Sequence, residues 1–361
     1  MVLDFAKEAI QNAETHSINF DELKAGKAAI KVVGVGGCGS NMVTWLFNKG
    51  INGATIYAAN TDALHLSVTK ADEKILLGKE LTRGLGAGGK ATRGREAAKE
   101  SLVDLKKSVS SSDMVFVLAG MGGGTGTGAA PVVAQLAKET GAVVIGVVTM
   151  PFESEKARID KAEFGLQELR EATDTCIVLD NNRLVDIAGQ LPLEQAFAVA
   201  NELVSTMVKG IVETITLPSL INLDYADVSA IMKNGGVAVI GIGESDAADR
   251  VQESVKQALT HPLLDVDYKG ASGALVHITC GPDLKLEEFD VIGRTVSENL
   301  SQDAQVIIGA RIAKDFVGKV RVITIMTGVK SPYVLGKDFE ETTMASTGSK
   351  HMSDLGIDIY G

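Results

Sequence analysis

Gly122-Gly123-Gly124-Thr125-Gly126-Thr127-Gly128 decides how this chain reads. The apolar run Met114-Val-Phe-Val-Leu-Ala119 precedes it, and Ala129-Ala-Pro-Val-Val133 follows. That order predicts a strand, a glycine loop and a helix start. Glycine admits positive φ and a close approach of backbone to ligand, because no Cβ intervenes. The free N–H groups at a helix start attract anions, and the helix dipole adds to the attraction. The hydroxyls of Thr125 and Thr127 can bond phosphate oxygens. Pro131 suits a first helical turn, where a missing N–H is no loss. A flexible linker would lack the flanking strand and helix patterns.

Outward from this loop, strands are expected at 30–35, 55–59, 114–119, 142–148 and 176–179, with helices near 40–49, 94–108, 129–140 and 157–172. Near-continuous Val/Ile strands between amphipathic helices imply a parallel sheet covered on both faces. A long helix is expected at 193–213, with apolar residues from Leu193 to Ile211 at 3.6-residue spacing. So wide an apolar face implies a helix buried between domains. A second, smaller α/β domain follows: strand 237–243, helix 246–258, strand 274–280, helix 286–300, and strands 305–311 and 319–327. The expected organisation is therefore an N-terminal extension (1–28), a nucleotide-binding domain (29–192), a central helix with its following loop (193–227), a C-terminal α/β domain (228–329) and a polar tail (330–361).

The 361 residues carry a formal charge of −11 and are 45% hydrophobic, enough for two cored domains. The acidic balance argues against a nucleic-acid surface, which needs a basic patch. Cys38, Cys176 and Cys280 are scattered without paired spacing, which fits reduced thiols in a cytosolic chain. No apolar run approaches the length of a membrane span, and the start, MVLDFAKEAIQNAE, is acidic and amphipathic rather than a signal peptide. The five histidines do not cluster, so no histidine-based metal site is expected.

A second glycine cluster, Gly34-Val-Gly36-Gly37-Cys38-Gly39-Ser40-Asn41, follows the first strand and opens a helix. Alone it would fit a dinucleotide loop, with Asp62 of Asn60-Thr61-Asp62 as the ribose-binding acid, and so an NAD-dependent oxidoreductase. A third cluster, Gly84-Leu-Gly-Ala-Gly-Gly89, goes beyond what that fold needs. Three cradles at the carboxyl ends of strands suit a triphosphate better than a pyrophosphate. No GxxxxGK[ST] sequence occurs, which excludes a P-loop.

Gly120-Met-Gly-Gly-Gly-Thr-Gly-Thr-Gly-Ala-Ala-Pro131 resembles the signature loop of the tubulin/FtsZ GTPase family. The likeness extends through Gly34–Asn41, Ala59-Asn-Thr-Asp-Ala63, Thr82-Arg-Gly-Leu-Gly-Ala-Gly-Gly89, Asn222-Leu-Asp-Tyr-Ala-Asp227, Asn234-Gly-Gly236 and Gly241-Ile-Gly-Glu244. It covers about residues 30–329 and is nearer the archaeal FtsZ branch than tubulin itself. The resemblance implies that Gly36, Gly37, Cys38, Gly39, Ser40 and Asn41, together with 122–128, hold the phosphates of GTP or GDP. Asn60 and Asp62 belong to the same pocket, and Ala87, Gly88 and Gly89 close over the γ phosphate. Glu155 and Arg158 would contact ribose and phosphate, Asn181 the base, and Phe197 and Asn201 would stack on guanine and read its edge. Mg²⁺ would be bound mainly through the nucleotide phosphates.

By the same resemblance, Asn222, Asp224 and Asp227 are the catalytic residues. They would dock head to tail onto the nucleotide of the next subunit and complete hydrolysis there, so that the chain polymerises into filaments of a division ring in the cytoplasm. Read on their own, Asp224 and Asp227 also suit helix caps. The terminal segment 350–361 is a candidate docking peptide for a membrane adaptor, since nothing in the chain predicts direct insertion. Four departures from the family pattern stand out. Glu153 competes with Glu155 because the loop is one residue short, and Lys90-Ala91 replaces Asn-Pro. Asp180 replaces a proline, and Asn201 stands where bacterial relatives carry aspartate.

Overall fold

The computed structural model describes residues 28–329, apart from Pro218, Asn222, Asn234, Gly235, 261–269 and Asn299. The expected extension before residue 28, the tail from 330 with its docking peptide, and Asn222 lie outside the described residues. β1 (Ile30–Val35) leads into α1 (Gly36–Lys49), β2 (Ala54–Asn60) into α2 (Ala63–Val68), and β3 (Glu73–Leu76) into the short α3 (Lys79–Thr82). α4 (Ala91–Glu100) and α5 (Leu102–Val109) precede β4 (Met114–Gly120) and α6 (Thr125–Glu139). Next come β5 (Val143–Met150), a 3-10 turn (Glu153–Arg158), α7 (Ile159–Ala172), β6 (Thr175–Asp180) and α8 (Asn181–Ala188). The long α9 (Leu193–Thr216) is followed by α10 (Tyr225–Lys233), β7 (Gly236–Ser245), α11 (Arg250–Leu259) and β8 (Gly273–Cys280). α12 (Leu286–Ser297), β9 (Gln305–Ile312) and β10 (Val320–Thr327) complete the described chain.

The strands form one sheet in the order β3-β2-β1-β4-β5-β6-β7-β10-β8-β9. Pairing is parallel from β3 to β7 and between β8 and β9, whereas β10 runs antiparallel to both its neighbours. The inner strand β4 is buried along its length except at Gly120, as its unbroken apolar run requires. The two halves meet where β6 pairs with β7, Thr175 opposite Gly236 and Ile177 opposite Ala238.

Several elements differ from expectation for identifiable reasons. α1 and α6 begin four residues early, at Gly36 and Thr125, because part of each glycine cluster is itself helix. Pro131 consequently lies inside α6 rather than in its first turn. The helix expected over 94–108 is two helices, α4 and α5, broken at Ser101. β3 escaped notice because its Glu73-Lys74 start is exposed and charged at the sheet edge. α9 is buried from Val204 onward but not before: Leu193 is 70% exposed and Phe197 38%. Its buried residues, among them Met207, Val208 and Ile211, share one core with Phe116 and Ile145 of one half and with Ile240, Leu275 and Ile323 of the other.

Candidate functional site

Two helix starts meet at the carboxyl ends of β1 and β4. A Cβ on Gly36 would stand 2.8 Å from the Gly126 backbone nitrogen, which places the first turns of α1 and α6 in contact. Neither helix has a side-chain N-cap or an acidic residue in its first turn. Their free N–H groups and positive dipole ends therefore face the same space without a resident anion.

Within 122–128 the glycines do different jobs. Gly122 has φ 88°, in the left-handed region that favours glycine, and sits against the Cβ and carbonyl oxygen of Arg158. Gly126 and Gly128 are helical, and a Cβ on either would collide with a carbonyl oxygen, of Gly120 and Ala91 respectively. Gly123, Gly88 and Gly89 face open space. The third loop closes on the second: a Cβ on Gly124 would lie 2.8 Å from that of Ala87 and 3.0 Å from the Lys90 nitrogen. The Gly86 N–H donates to the Thr61 carbonyl (3.0 Å), and the Ala63 N–H to that of Gly84 (2.9 Å), tying this loop to the Asn60-Thr61-Asp62 segment. The structure thus gathers the three glycine clusters, although α3 intervenes between the third and its strand.

Side chains around the cradle are held in place. The buried hydroxyls of Thr61 and Thr125 share a hydrogen bond of 2.6 Å. Cys38 Sγ lies 3.4 Å from Thr149 Oγ1, and burial pushes its thiol up, so it stays neutral. Asp62 caps α2, its Oδ1 accepting from the His65 N–H at 3.0 Å. His65 reaches both Asn60 and Asn41. Thr61, His65 and Thr149 were not singled out from the sequence. Thr61 lay inside a quoted motif, and His65 stands three residues after its cap, which is the signal that could have found it.

Away from the glycine loops, Asn41, Thr44 and Trp45 of α1 face Phe197, Ala198 and Asn201 of α9 across one cleft. Phe152 meets Phe197 edge to face, with ring centroids 6.1 Å apart. Glu155 pairs with Arg158 and accepts from the Phe152 N–H at 3.2 Å. Glu153 is exposed, and its N–H donates to Asn182 Oδ1 at 2.9 Å. Asn181 opens α8, which Asp180 caps by accepting from the Asn182 N–H at 2.8 Å. Lys156, between the two ends of the Glu155–Arg158 pair, takes φ 31°, a strained value for a side-chain-bearing residue. Among the described residues no group of three or more His, Cys, Asp or Glu side chains stands ready to hold a metal ion.

The carboxylates 224 and 227 lie elsewhere. Asp224 caps α10, its Oδ1 accepting from the Asp227 N–H at 2.8 Å, and Asp227 stands in the first helical turn rather than in a loop. The Tyr225 hydroxyl donates to the Asp113 carbonyl at 2.7 Å. Asp113 immediately precedes β4, whereas the 122–128 cradle follows its other end. Seven residues of strand span about 20 Å, so the two sets of groups sit at opposite ends of the strands.

A parallel sheet whose helix starts form an anion cradle of this kind defines a nucleotide-binding protein, and comparison with known families makes that class specific. Residues 29–189 match the GTPase domain of the Tubulin/FtsZ family, and residues 236–330 the C-terminal domain of the FtsZ family. The chain is 51% identical over 356 residues to cell division protein FtsZ 2 of Methanocaldococcus jannaschii, covering 98% of this chain and 93% of that one. It is 53% identical over 358 residues to FtsZ 2 of Halobacterium salinarum, covering 98% and 90%. This chain belongs to the tubulin/FtsZ GTPase family. Among solved structures, the empty FtsZ dimer of M. jannaschii matches with a TM-score of 0.80 and 49% identity, over 90% of this chain and 92% of that one. CetZ2 of Haloferax volcanii, solved as a GTPγS-bound protofilament, shares the fold at a TM-score of 0.73 and 22% identity, over 90% and 99%.

Proposed function

We propose that this chain binds GTP in the three-loop cradle, assembles head to tail with further copies of itself, and hydrolyses the nucleotide at the junction between subunits. The observation that carries this reading is the separation along β4: phosphate cradle at its carboxyl end, Asp224 and Asp227 at its amino end. One copy cannot bring these groups together, but a second copy stacked end on end can. Such a heterologous contact does not close on itself and generates a filament.

In this reading the first-turn N–H groups of α1 and α6 take the β and γ phosphates, and Gly88 and Gly89 leave room for the γ group. Phe197 offers a ring face to the base. The Asn201 amide supplies an acceptor to guanine and, unlike an aspartate there, a donor as well. Glu155, held by Arg158 and the Phe152 N–H, is the better placed of the two glutamates to meet a ribose, since Glu153 points to solvent. The open cradle fits a phosphate chain, and Mg²⁺ carried on the phosphates would neutralise charge on the β and γ groups. Asp227, with Asp224 and Asn222, would orient and polarise the attacking water from the neighbouring subunit. The names of the relatives support a role in cell division; a cytoplasmic location and membrane contact through an adaptor bound at 350–361 are further parts of the proposal, which the names do not carry.

Nucleotide binding and assembly test the reading together. GTP is expected to bind and raise light scattering with Mg²⁺ present, GDP to bind without sustained assembly, and NAD to do neither. Binding of NAD in preference to GTP would refute it. Deleting 350–361 is expected to abolish adaptor binding and leave assembly intact; retained adaptor binding would remove that part.

A further inference from the structure

We propose that His65 is a positioning residue that fixes which way the Asn41 amide faces the phosphate cradle. This rests on the nucleotide role proposed above for the loop that carries Asn41.

The inference follows a chain of hydrogen bonds whose direction is set at its first link. Asn60 is buried, 2% exposed, and its Oδ1 accepts from the Asp62 backbone N–H at 3.3 Å. A backbone N–H can only donate, so the amide cannot be reversed, and its NH₂ is turned toward His65. There it lies 3.2 Å from Nδ1, which must accept. In the neutral ring the proton is then on Nε2. Nε2 lies 3.2 Å from Asn41 Oδ1 and donates to it. The Asn41 oxygen is thereby engaged and its NH₂ has no partner among the described residues, on an exposed residue of the helix whose uncapped start forms half the cradle.

His65 is also anchored through its backbone, and its ring stands beside the phosphate loop. Its own backbone N–H is bound by Asp62, and a Cβ on Gly37 of the phosphate loop would lie 4.0 Å from its Cε1. The relay converts one backbone donor just after β2 into the amide donors of Asn41, an exposed residue beside the cradle. Reversed, the Asn41 amide would offer an oxygen to an anionic ligand and repel it.

The full chain labelled with ¹⁵N-histidine tests the relay directly. His65, assigned by the resonance lost in His65→Gln, is expected as the Nε2–H tautomer; the Nδ1–H tautomer would overturn the relay. A fluorescent GDP is expected to bind His65→Leu about tenfold more weakly, the loss of about one hydrogen bond. His65→Gln, which can accept from Asn60 and donate to Asn41, is expected to bind close to the native chain. Equal binding by native and Leu variants, or equal weakness of Leu and Gln variants, would refute the positioning role. Failure of the native chain to bind GDP would overturn the nucleotide reading itself, whereas binding with the wrong tautomer overturns the relay alone.

Discussion

Gly123 and Gly128 stand five positions apart in one glycine run, yet they face opposite demands. A methyl on Gly128 would meet the Ala91 carbonyl oxygen, a backbone atom that cannot turn aside. Gly128→Ala is therefore expected to destabilise the fold by about 3 kcal/mol or more, seen as a lower Tm. Gly123 has nothing within 4 Å of its missing Cβ. Gly123→Ala should leave Tm unchanged and weaken nucleotide binding, because the methyl enters the cradle. If the two variants lost stability equally, the division of roles would be wrong. The sequence marked this run as a phosphate loop, but residue type alone cannot separate a glycine chosen for φ from one chosen for volume. The colliding partner lies in another element. Asp180 shows the same limit. Read from sequence it was a departure from a family proline; in the structure it is the cap of α8. Asp180→Ala should cost about 1 kcal/mol in thermal unfolding, as a lost N-cap does.

At the scale of elements, the parallel strands were legible because unbroken Val/Ile runs fit a sheet covered on both faces, and β1 falls where it was expected. Helix starts were not, since α1 and α6 begin inside glycine clusters that propensity assigns to loops. α9 was legible in length but not in burial: its apolar stripe is continuous, while Ala196, Val199, Ala200 and Leu203 pack half-buried against Leu184 and Ala188 of α8 and only the part from Val204 onward enters the main core. That buried part is joined to β8 by a polar link invisible to periodicity. Thr214 donates to the Gly210 carbonyl at 2.6 Å, so it accepts from His277 Nδ1–H at 2.7 Å. Burial, aided by the charges of Arg311 and Arg321, brings the His277 pKa down to about 4 from an ordinary 6.5. The folded chain therefore keeps His277 neutral at pH values where the unfolded chain binds a proton. Its contribution is complete above about pH 6.5 and is lost as pH falls toward 4, amounting to about 3 kcal/mol. Urea unfolding at pH 7 and pH 5 should show about 2 kcal/mol of this loss, and His277→Gln should flatten it. An unchanged pH slope in the variant would assign the effect to other groups.

For the whole molecule, two expected α/β units prove to be joined through one sheet, with β6 against β7 and a core that α9 shares with both. This continuity holds the cradle and the Asp224–Asp227 segment at opposite ends of the strands. The sequence carried the motifs of both, while their separation is a property of β4 and its pairing that no local pattern encodes. Under the function proposed above these segments are two half-sites, which predicts an enzyme that one copy cannot complete. The most direct test is GTP hydrolysis per subunit as a function of protein concentration, with light scattering in parallel, for the native chain and Asp227→Ala. Shared catalysis predicts a rate per subunit that rises with concentration, lost in the variant while GTP binding persists. A rate independent of concentration, or an unimpaired Asp227→Ala, would contradict it and place the complete site within one chain.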